Sequence, residues 1–339
     1  MTTLTLDRLL LRTPDALCCA LPHLLGFIPE NSAVAVWLAG GRLLVTQRVD
    51  LPTGTFEADA WAQAVVDHAG SAAADSVIAV LVTAAGDPST ASLSGALCNA
   101  ARSRGVEVLD VLQLDAQCWR SLLCSDTVCC PPEGRQIDAE VRNRIDAEFA
   151  LEGSAPRGSR DDVVRQLDPE PGQVAAVLST GVLDRRTRSA SLERWREAGL
   201  ANVTQWCFGQ KKRSTPARSA HLIRALADIR VRDTLLWELC GMDTGELRRA
   251  ADQLRRLVQA APPGHVAPVA LCLAVAAWLA GDGVQASVAV DRALDDDADH
   301  VLVGLLASAL TMGLPPWQLR DVIREVGRDT CRRGAAPST

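Results

Sequence analysis

The sequence lacks the features that mark membrane-spanning and secreted proteins. No uninterrupted apolar run in the 339 residues reaches the ~20 residues needed to cross a bilayer. The best candidate, residues 266–280, is shorter and is followed at once by Gly281-Asp282-Gly283. The N-terminus has no charged region leading into an apolar stretch, which predicts that there is no signal peptide. We therefore expect a cytoplasmic protein that does not associate with membranes.

Lysine is also scarce. Only Lys211 and Lys212 occur, so nearly all of the 35 basic residues are arginine. This bias is typical of a GC-rich coding genome and carries no functional information. The net charge of −6 argues against a general affinity for nucleic acids, although it leaves room for a local basic patch.

The sequence motifs of common enzymes are missing as well. No GxGxxG follows the first strand, and no GxxxxGK[ST], GxSxG or HExxH is present. The five histidines lie apart from one another along the chain. Acids at predicted strand ends, namely Asp50, Asp110 and Asp126, are weak candidates, because acids are common at such positions. The sequence therefore favours a protein without turnover and leaves enzyme activity undecided.

Residues 1–137 have the pattern of an α/β domain. Ala33–Ala39 and Arg42–Leu51 have the pattern of two strands joined by Gly40-Gly41, a two-residue hairpin signal, and the second strand alternates in its side chains. Ser76–Ala84 is apolar and β-branched, as in a strand covered on both faces. Further helix and strand patterns, ending with a strand at Gln117–Leu123, give the order β-β-α-β-α-β-β. This order predicts a mixed sheet with packed helices.

Residues 138–327 are predicted to form an all-helical domain, with a linker-like stretch at 153–159 and a disordered tail at 328–339. A single long helix is expected over Ala217–Cys240. Small residues around Trp278, followed by a second helix, resemble a tetratricopeptide-like hairpin. Only one such unit is convincing, and a solenoid needs about three, so a generic helical hairpin stays the alternative.

The most distinctive stretch runs from Trp119 to Gly134 and contains Cys124, Cys129 and Cys130. A structural zinc site usually has four ligands in two close pairs, and no histidine is near this stretch. A reactive thiolate needs a cation or helix N-terminus, and Arg120 and Arg135 flank the stretch. A structural loop is favoured, with a zinc, iron or redox site and a ligand-contacting surface as the alternatives, so no cofactor is predicted. The remaining cysteines are expected to be mostly free thiols in a reducing compartment.

A second candidate region is basic. Residues 183–232 hold 12 Arg or Lys against 4 Asp or Glu, interleaved with aromatic residues. Basic side chains neutralise phosphates and aromatics stack on bases, so nucleic-acid contact is a hypothesis, with a solvated helical surface favoured over it. The nucleic-acid candidates are Arg185, Arg186, Arg188, Arg194, Arg196, Lys211, Lys212 and Arg213.

Several motifs resemble the actinobacterial family called domain of unknown function 4192. They are Leu24-Leu-Gly26-Phe27-x-Pro29-Glu30-x-Ser32, Arg48-Val-Asp50-Leu51-Pro52, Trp119-Arg-Ser-Leu-Leu-Cys124 through Cys129-Cys130-Pro-Pro-Glu133-Gly134, Arg230-Val-Arg232-Asp233 and Ala277-Trp278-x-x-Gly281-Asp282-Gly283 with Asp291-Arg-Ala-Leu294. The resemblance implies an actinobacterial or phage source. It supplies no activity and no catalytic residue.

We therefore expect a non-catalytic binding, regulatory or scaffold protein whose helical domain contacts a protein partner. An enzyme or a thiol-redox or metal-binding protein using Cys124–Cys130 is the first alternative, and nucleic-acid binding through residues 185–213 is the second. The ligand-contact or structural-loop candidates are Gly26, Ser32, Asp50, Trp119, Arg120, Cys124, Asp126, Cys129, Cys130 and Glu133.

Overall fold

The computed structural model describes residues 13–52, 58–67, 74–115, 117–151, 156–185, 187, 189–209 and 214–333. These residues divide into two compact units. The first comprises the chain up to Arg160 with Thr311–Pro315, and the second comprises Asp161–Leu310 with the chain from Pro316 onward.

The first unit is built on a six-stranded mixed sheet in the order β2-β1-β3-β4-β5-β6. The pair β3–β4 is parallel and the other four pairs are antiparallel. The predicted order of elements is confirmed, and the strand expected at 117–123 does pair with β4. The strands are β1 Ser32–Ala39, β2 Arg42–Asp50, β3 Ser76–Val82, β4 Glu107–Leu114, β5 Cys118–Ser121 and β6 Arg135–Gln136.

The core of this unit lies between the sheet and two helices. Trp37 of β1 packs in one cluster with Trp61 of α2 and Leu93 of α3. Every residue of β1 from Ser32 to Trp37 is buried, so this strand is covered on both faces. In β3, where the apolar run predicts the same, all residues but Ile78 are buried. The helices of this part of the chain are α1 Pro14–Leu25, α2 Ala58–Asp67, α3 Ser89–Ser103 and α4 Ala139–Leu151.

Helix α4 packs on α1 and belongs to the first unit. Cys19 of α1 lies in one buried cluster with Ile145 and Phe149 of α4. His23 Nε2 is 2.8 Å from the Asp146 carboxylate, and the His23 ring stacks on Phe149 at 4.4 Å. The units therefore divide after Arg160, whereas the sequence placed the domain boundary after residue 137, because residues far apart in the chain hold α4 in place.

The second unit consists of helices and is centred on α11. Every residue of α11 from Val269 to Leu279 is buried, and α9, α10 and α12 pack against it. An α11–α12 hairpin is present where the tetratricopeptide-like unit is predicted. The helices from residue 160 onward are α5 Arg160–Arg165, α6 Pro171–Leu178, α7 Leu192–Phe208, α8 Pro216–Leu226, α9 Ile229–Leu239, α10 Thr244–Ala260, α11 Ala267–Leu279, α12 Gly283–Asp296, α13 Val301–Thr311, α14 Pro316–Glu325 and α15 Arg328–Arg333, with a 3-10 turn at Ser189–Ser191.

Two local predictions in this unit are corrected. The single helix expected over 217–240 is broken at Asp228, whose carboxylate accepts the backbone N–H groups of Arg230 and Val231 and so starts α9. The tail expected to be disordered from residue 328 begins with α15, where Arg328 pairs with Glu238 at 2.8 Å. Residues 153–155 of the predicted linker and residues 334–339 of the tail lie outside the described residues.

Candidate thiol and metal site

The cysteine loop, residues 122–134, leaves the sheet through a network around Ser121 at the end of β5. The Ser121 hydroxyl donates to Asp110 Oδ1 at 2.6 Å and accepts the backbone N–H groups of Leu123 and Cys124. A serine whose hydroxyl accepts from the N–H groups of the next residues forms a local turn, and the chain bends at Leu122 and Leu123. This network fixes the backbone of Cys124.

The middle of the loop is a turn organised by Asp126. Its Oδ1 accepts the N–H groups of Val128 at 2.8 Å and Cys129 at 3.3 Å, and its carbonyl accepts the N–H of Cys130 at 2.7 Å. Asp126 was a candidate for ligand contact. In the structure its Oδ1 holds the backbone of Cys129 and its carbonyl oxygen holds that of Cys130, which is a local role that an Asx turn explains.

The far end of the loop closes on β5 at Gly134. Its φ is +80°, and a Cβ there would lie 3.3 Å from Cys118 Cβ and from the Trp119 carbonyl oxygen. Only glycine combines this left-handed conformation with so close an approach. The two ends of the loop are therefore fixed beside each other on the same strand.

As a result of these contacts, the thiol groups of three cysteines lie close together. The Sγ atoms of Cys124, Cys129 and Cys130 lie within 4.8 Å of one another, and those of Cys129 and Cys130 are 3.9 Å apart. Sulfur atoms bound to one tetrahedral zinc ion at ~2.3 Å are separated by about 3.8 Å. Within the part of the chain that the structure describes, this is the one group of three or more His, Cys, Asp or Glu side chains so arranged.

Both flanking arginines bind the loop's backbone. Arg120 Nε donates to Gln113 Oε1 at 2.7 Å, and its Nη1 donates to the Pro132 carbonyl at 3.2 Å. Arg135 Nη1 donates to the Cys129 carbonyl at 3.2 Å. Their charges therefore lie beside the loop, while these three hydrogen bonds go to oxygen atoms and leave the thiols available to a ligand.

Residues 14–317 match the model of a family described as a domain of unknown function, DUF4192. The chain belongs to this family. A search of curated proteins gave no significant match, and neither did a search of solved structures. The family match covers both units, so the cysteine loop and the helical unit are parts of one DUF4192 protein.

Three other predicted site residues of this DUF4192 chain, Ser32, Asp50 and Trp119, lie on one row across the sheet. Asp50 of β2 is opposite Ser32 of β1, Ser32 is opposite Val82, Val82 is opposite Leu114, and Leu114 is opposite Trp119. This row is at the carboxyl ends of the parallel strands β3 and β4, where ligands bind in open sheets. Two strands separate Ser32 from Trp119, so the row does not bring these side chains into one cluster.

The side chains of that row have different surroundings. Asp50 is exposed and pairs with Arg48 at 2.6 Å, while its carbonyl accepts from Trp61 Nε1. Ser32 Oγ and Trp119 Nε1 are buried and have no hydrogen-bond partner among the described residues. Of the remaining candidates, Gly26 ends α1 with φ +75° and Glu133 is exposed. Neither belongs to the thiol cluster.

The described part of the basic region forms internal contacts. Arg196 Nε donates to both carboxylate oxygens of Asp228, at 3.2 and 2.9 Å, and its Nη1 donates to Glu193. Trp206 is buried, with Arg218 5.2 Å from its ring centroid. Arg185 and Arg194 are exposed, whereas Arg186, Arg188 and Lys211–Arg213 lie outside the described residues. Arg196 and Trp206 are thus occupied by structural contacts.

No helix in the described part of this DUF4192 chain is both long and apolar enough to span a membrane.

Proposed function

We propose that this protein is a cytoplasmic binding or regulatory protein without turnover of its own, and that its cysteine loop binds a thiophilic metal ion. The observation that carries the proposal is the convergence of Cys124, Cys129 and Cys130 within 4.8 Å. Thiolates select ions such as zinc and copper(I), which is why the metal is assigned to this class.

The chemistry of the donors supports binding better than catalysis. All three ligands are sulfur atoms from one short loop, and the Asp126 carboxylate beside them accepts backbone N–H groups through Oδ1, which engages it in holding the turn. A fourth position would be filled by water or by a group of the ligand or partner. A catalytic zinc site also has three protein ligands and an open position, but it needs a neighbouring acid or base.

The test is metal binding by the reduced full-length protein. Zinc or copper(I) titration is expected to give one tightly bound ion per chain, and cobalt(II) substitution should give the sulfur-to-metal charge-transfer absorption of thiolate ligation. Cys124→Ser, Cys129→Ser and Cys130→Ser should each weaken binding by roughly 10–100-fold or more, the scale of disturbing metal ligation. Cys118→Ser is the matched control, since Cys118 is a nearby thiol outside the cluster. Binding that survives all three substitutions would contradict the proposal.

The protein partner expected for the helical unit stays a prediction. It is supported by apolar side chains with high exposure on α13 and α14: Val301 at 77%, Leu305 at 62%, Trp317 at 60% and Val322 at 59%. A photo-cross-linker at Val301 or Val322 should capture one discrete protein in cells. A cross-linker at Leu151, which is 89% exposed, is the control, and the same captured bands at all sites would argue against a specific partner.

Nucleic-acid binding stays the less supported candidate, because Arg196 and Trp206 are engaged within the unit. Its remaining support is the exposure of Arg185 and Arg194. Salt-sensitive binding that weakens in Arg185→Gln/Arg194→Gln would favour it, whereas binding without salt dependence would remove it.

A further inference from the structure

The geometry of the cysteine loop also suits bond formation between its sulfur atoms. A disulfide needs the two sulfurs at ~2.05 Å, and side-chain rotation brings together thiols that already lie a few ångströms apart. Cys124 and the adjacent pair Cys129 and Cys130 satisfy this requirement, since all three Sγ atoms lie within 4.8 Å. The cluster is therefore a candidate dithiol as well as a metal site.

Exposure makes these thiols accessible to an oxidant. Cys129 is exposed, and Cys124 and Cys130 are half-buried, whereas Cys18, Cys207 and Cys272 are buried. Burial raises the pKa of Cys207 and, to about 12, that of Cys272, so these thiols are protonated at neutral pH and react slowly. Cys98, Cys118 and Cys331 are half-buried like Cys124 and Cys130, so Cys129, the one exposed cysteine among the described residues, is the expected first site of oxidation.

We propose that the cysteine loop is a redox-controlled site, in which a hydroperoxide converts Cys124 and Cys129 into a disulfide and thereby releases the metal ion. This inference rests on the proposed function for the metal, while its covalent step stands on the thiols alone. Cys129 reacts first because it is the exposed member of the cluster.

The reaction balances in two steps. The Cys129 thiol attacks the peroxide, giving a sulfenic acid and one water when the oxidant is hydrogen peroxide. The Cys124 thiolate then attacks the sulfenic sulfur, the S–S bond forms, and the hydroxyl group leaves with a proton as a second water. Two thiols lose two electrons, the peroxide is reduced, and the metal loses two of its three protein ligands.

The choice of Cys124 as the resolving thiol follows from covalent geometry. A bond between the neighbours Cys129 and Cys130 closes an eight-membered ring that forces the intervening peptide out of its planar trans form. Four residues separate Cys124 from Cys129, and the Asp126 turn folds them back towards each other. The structure therefore favours the longer loop.

The covalent step is tested on reduced, metal-free, full-length protein treated with one equivalent of hydrogen peroxide. Free thiols should fall from 11 to about nine, since one disulfide consumes two. Cleavage before Asp126 then places Cys124 and Cys129 on separate peptides, so a linked pair is identified by its mass. Cys130→Ser should keep the disulfide, and Cys124→Ser should leave a sulfenic acid at Cys129 that dimedone traps.

The metal step is tested by titrating zinc into the reduced and the oxidised protein. The oxidised protein should retain less than about a tenth of the bound metal, and a thiol reductant should restore binding, because thiolates are the ligands. One outcome is that the reduced protein binds metal but peroxide treatment forms no disulfide at Cys124. This outcome overturns the inference and leaves the proposed function standing. Another outcome is that the reduced protein binds no metal but peroxide treatment forms the disulfide. This outcome overturns the proposed function and the metal-release step, while the oxidation step survives. A Cys129–Cys130 bond overturns the assignment of Cys124.

Discussion

Cysteine occupies two opposite environments in this chain. In the cysteine loop, Cys124, Cys129 and Cys130 stand together at the surface, and polar groups fix their backbone. In the helical unit, Cys207 and Cys272 are buried. The same side chain is thus an accessible thiol in one place and a small buried group in the other. Position in the fold, rather than abundance, decides what each cysteine can do.

The largest expected difference between the two regions is in alkylation rate. Iodoacetamide should modify Cys124 and Cys129 of the folded, metal-free protein quickly. Burial raises the pKa of Cys272 to about 12, which lowers its thiolate fraction roughly a thousandfold, and enclosure slows it further. Peptide mass mapping over time measures both rates. In guanidinium the rates should converge, and equal rates in the folded protein would contradict the difference in environment between the two regions.

Substitution of cysteine by serine should lower stability clearly in the helical unit and hardly change it in the cysteine loop. Cys272→Ser places a hydroxyl group at a fully buried position and should lower the free energy of unfolding by about 1–3 kcal/mol. Cys129→Ser in metal-free protein should change it by no more than about 0.5 kcal/mol, because the side chain is exposed. Urea denaturation measures the free energy of unfolding of both variants. A costly Cys129→Ser would mean that the thiol holds the loop together without metal.

Gly134→Ala tests whether backbone geometry assembles the thiols. The substitution forces φ +80° on an alanine and crowds Cys118, so it should cost about 1–2 kcal/mol and weaken metal binding. Gly86→Ala is the matched control, since its φ is +78° and nothing lies within 4 Å of an added Cβ. Gly86→Ala should lower the free energy of unfolding and leave the metal affinity unchanged. Equal metal affinity in both variants would show that the closure at Gly134 is not needed.

Alkaline pH provides the smallest of the four effects. The neutral thiol of Cys272 is favoured in the fold, so the unfolded chain ionises first, above about pH 8.5. The stability that this thiol contributes is complete below that pH and decreases as the pH rises toward about 12. Urea unfolding should show a loss of about 1 kcal/mol between pH 8.5 and 9.5 from this group.

Cys272→Ala should remove that part of the alkaline loss, and Cys129→Ala in metal-free protein should leave it unchanged. If both variants keep the wild-type pH dependence, Cys272 does not titrate differently in the folded and unfolded chains.

The local pattern of the sequence predicted the elements well but not every boundary. Alternation around Gly40-Gly41 correctly indicated the β1–β2 hairpin, since strand periodicity is a property of neighbouring residues. The continuous helical pattern over 217–240 concealed the cap at Asp228, because capping depends on where the chain turns. The role of Ser121 in organising the loop was not predicted. A serine hydroxyl often accepts the N–H of the residue two positions later, as Ser121 does from Leu123, so the serine is a recognisable turn signal.

By itself, the sequence determined the α/β and helical halves, the family, and the stretch in which three cysteines fall within seven residues. These depend on composition and short-range periodicity. Only the tertiary structure decided that Arg196 is occupied by Asp228, that α4 packs on α1, and that the thiols of Cys124, Cys129 and Cys130 meet. Each of these contacts depends on how the backbone folds back on itself, and spacing along a chain does not specify distance in space.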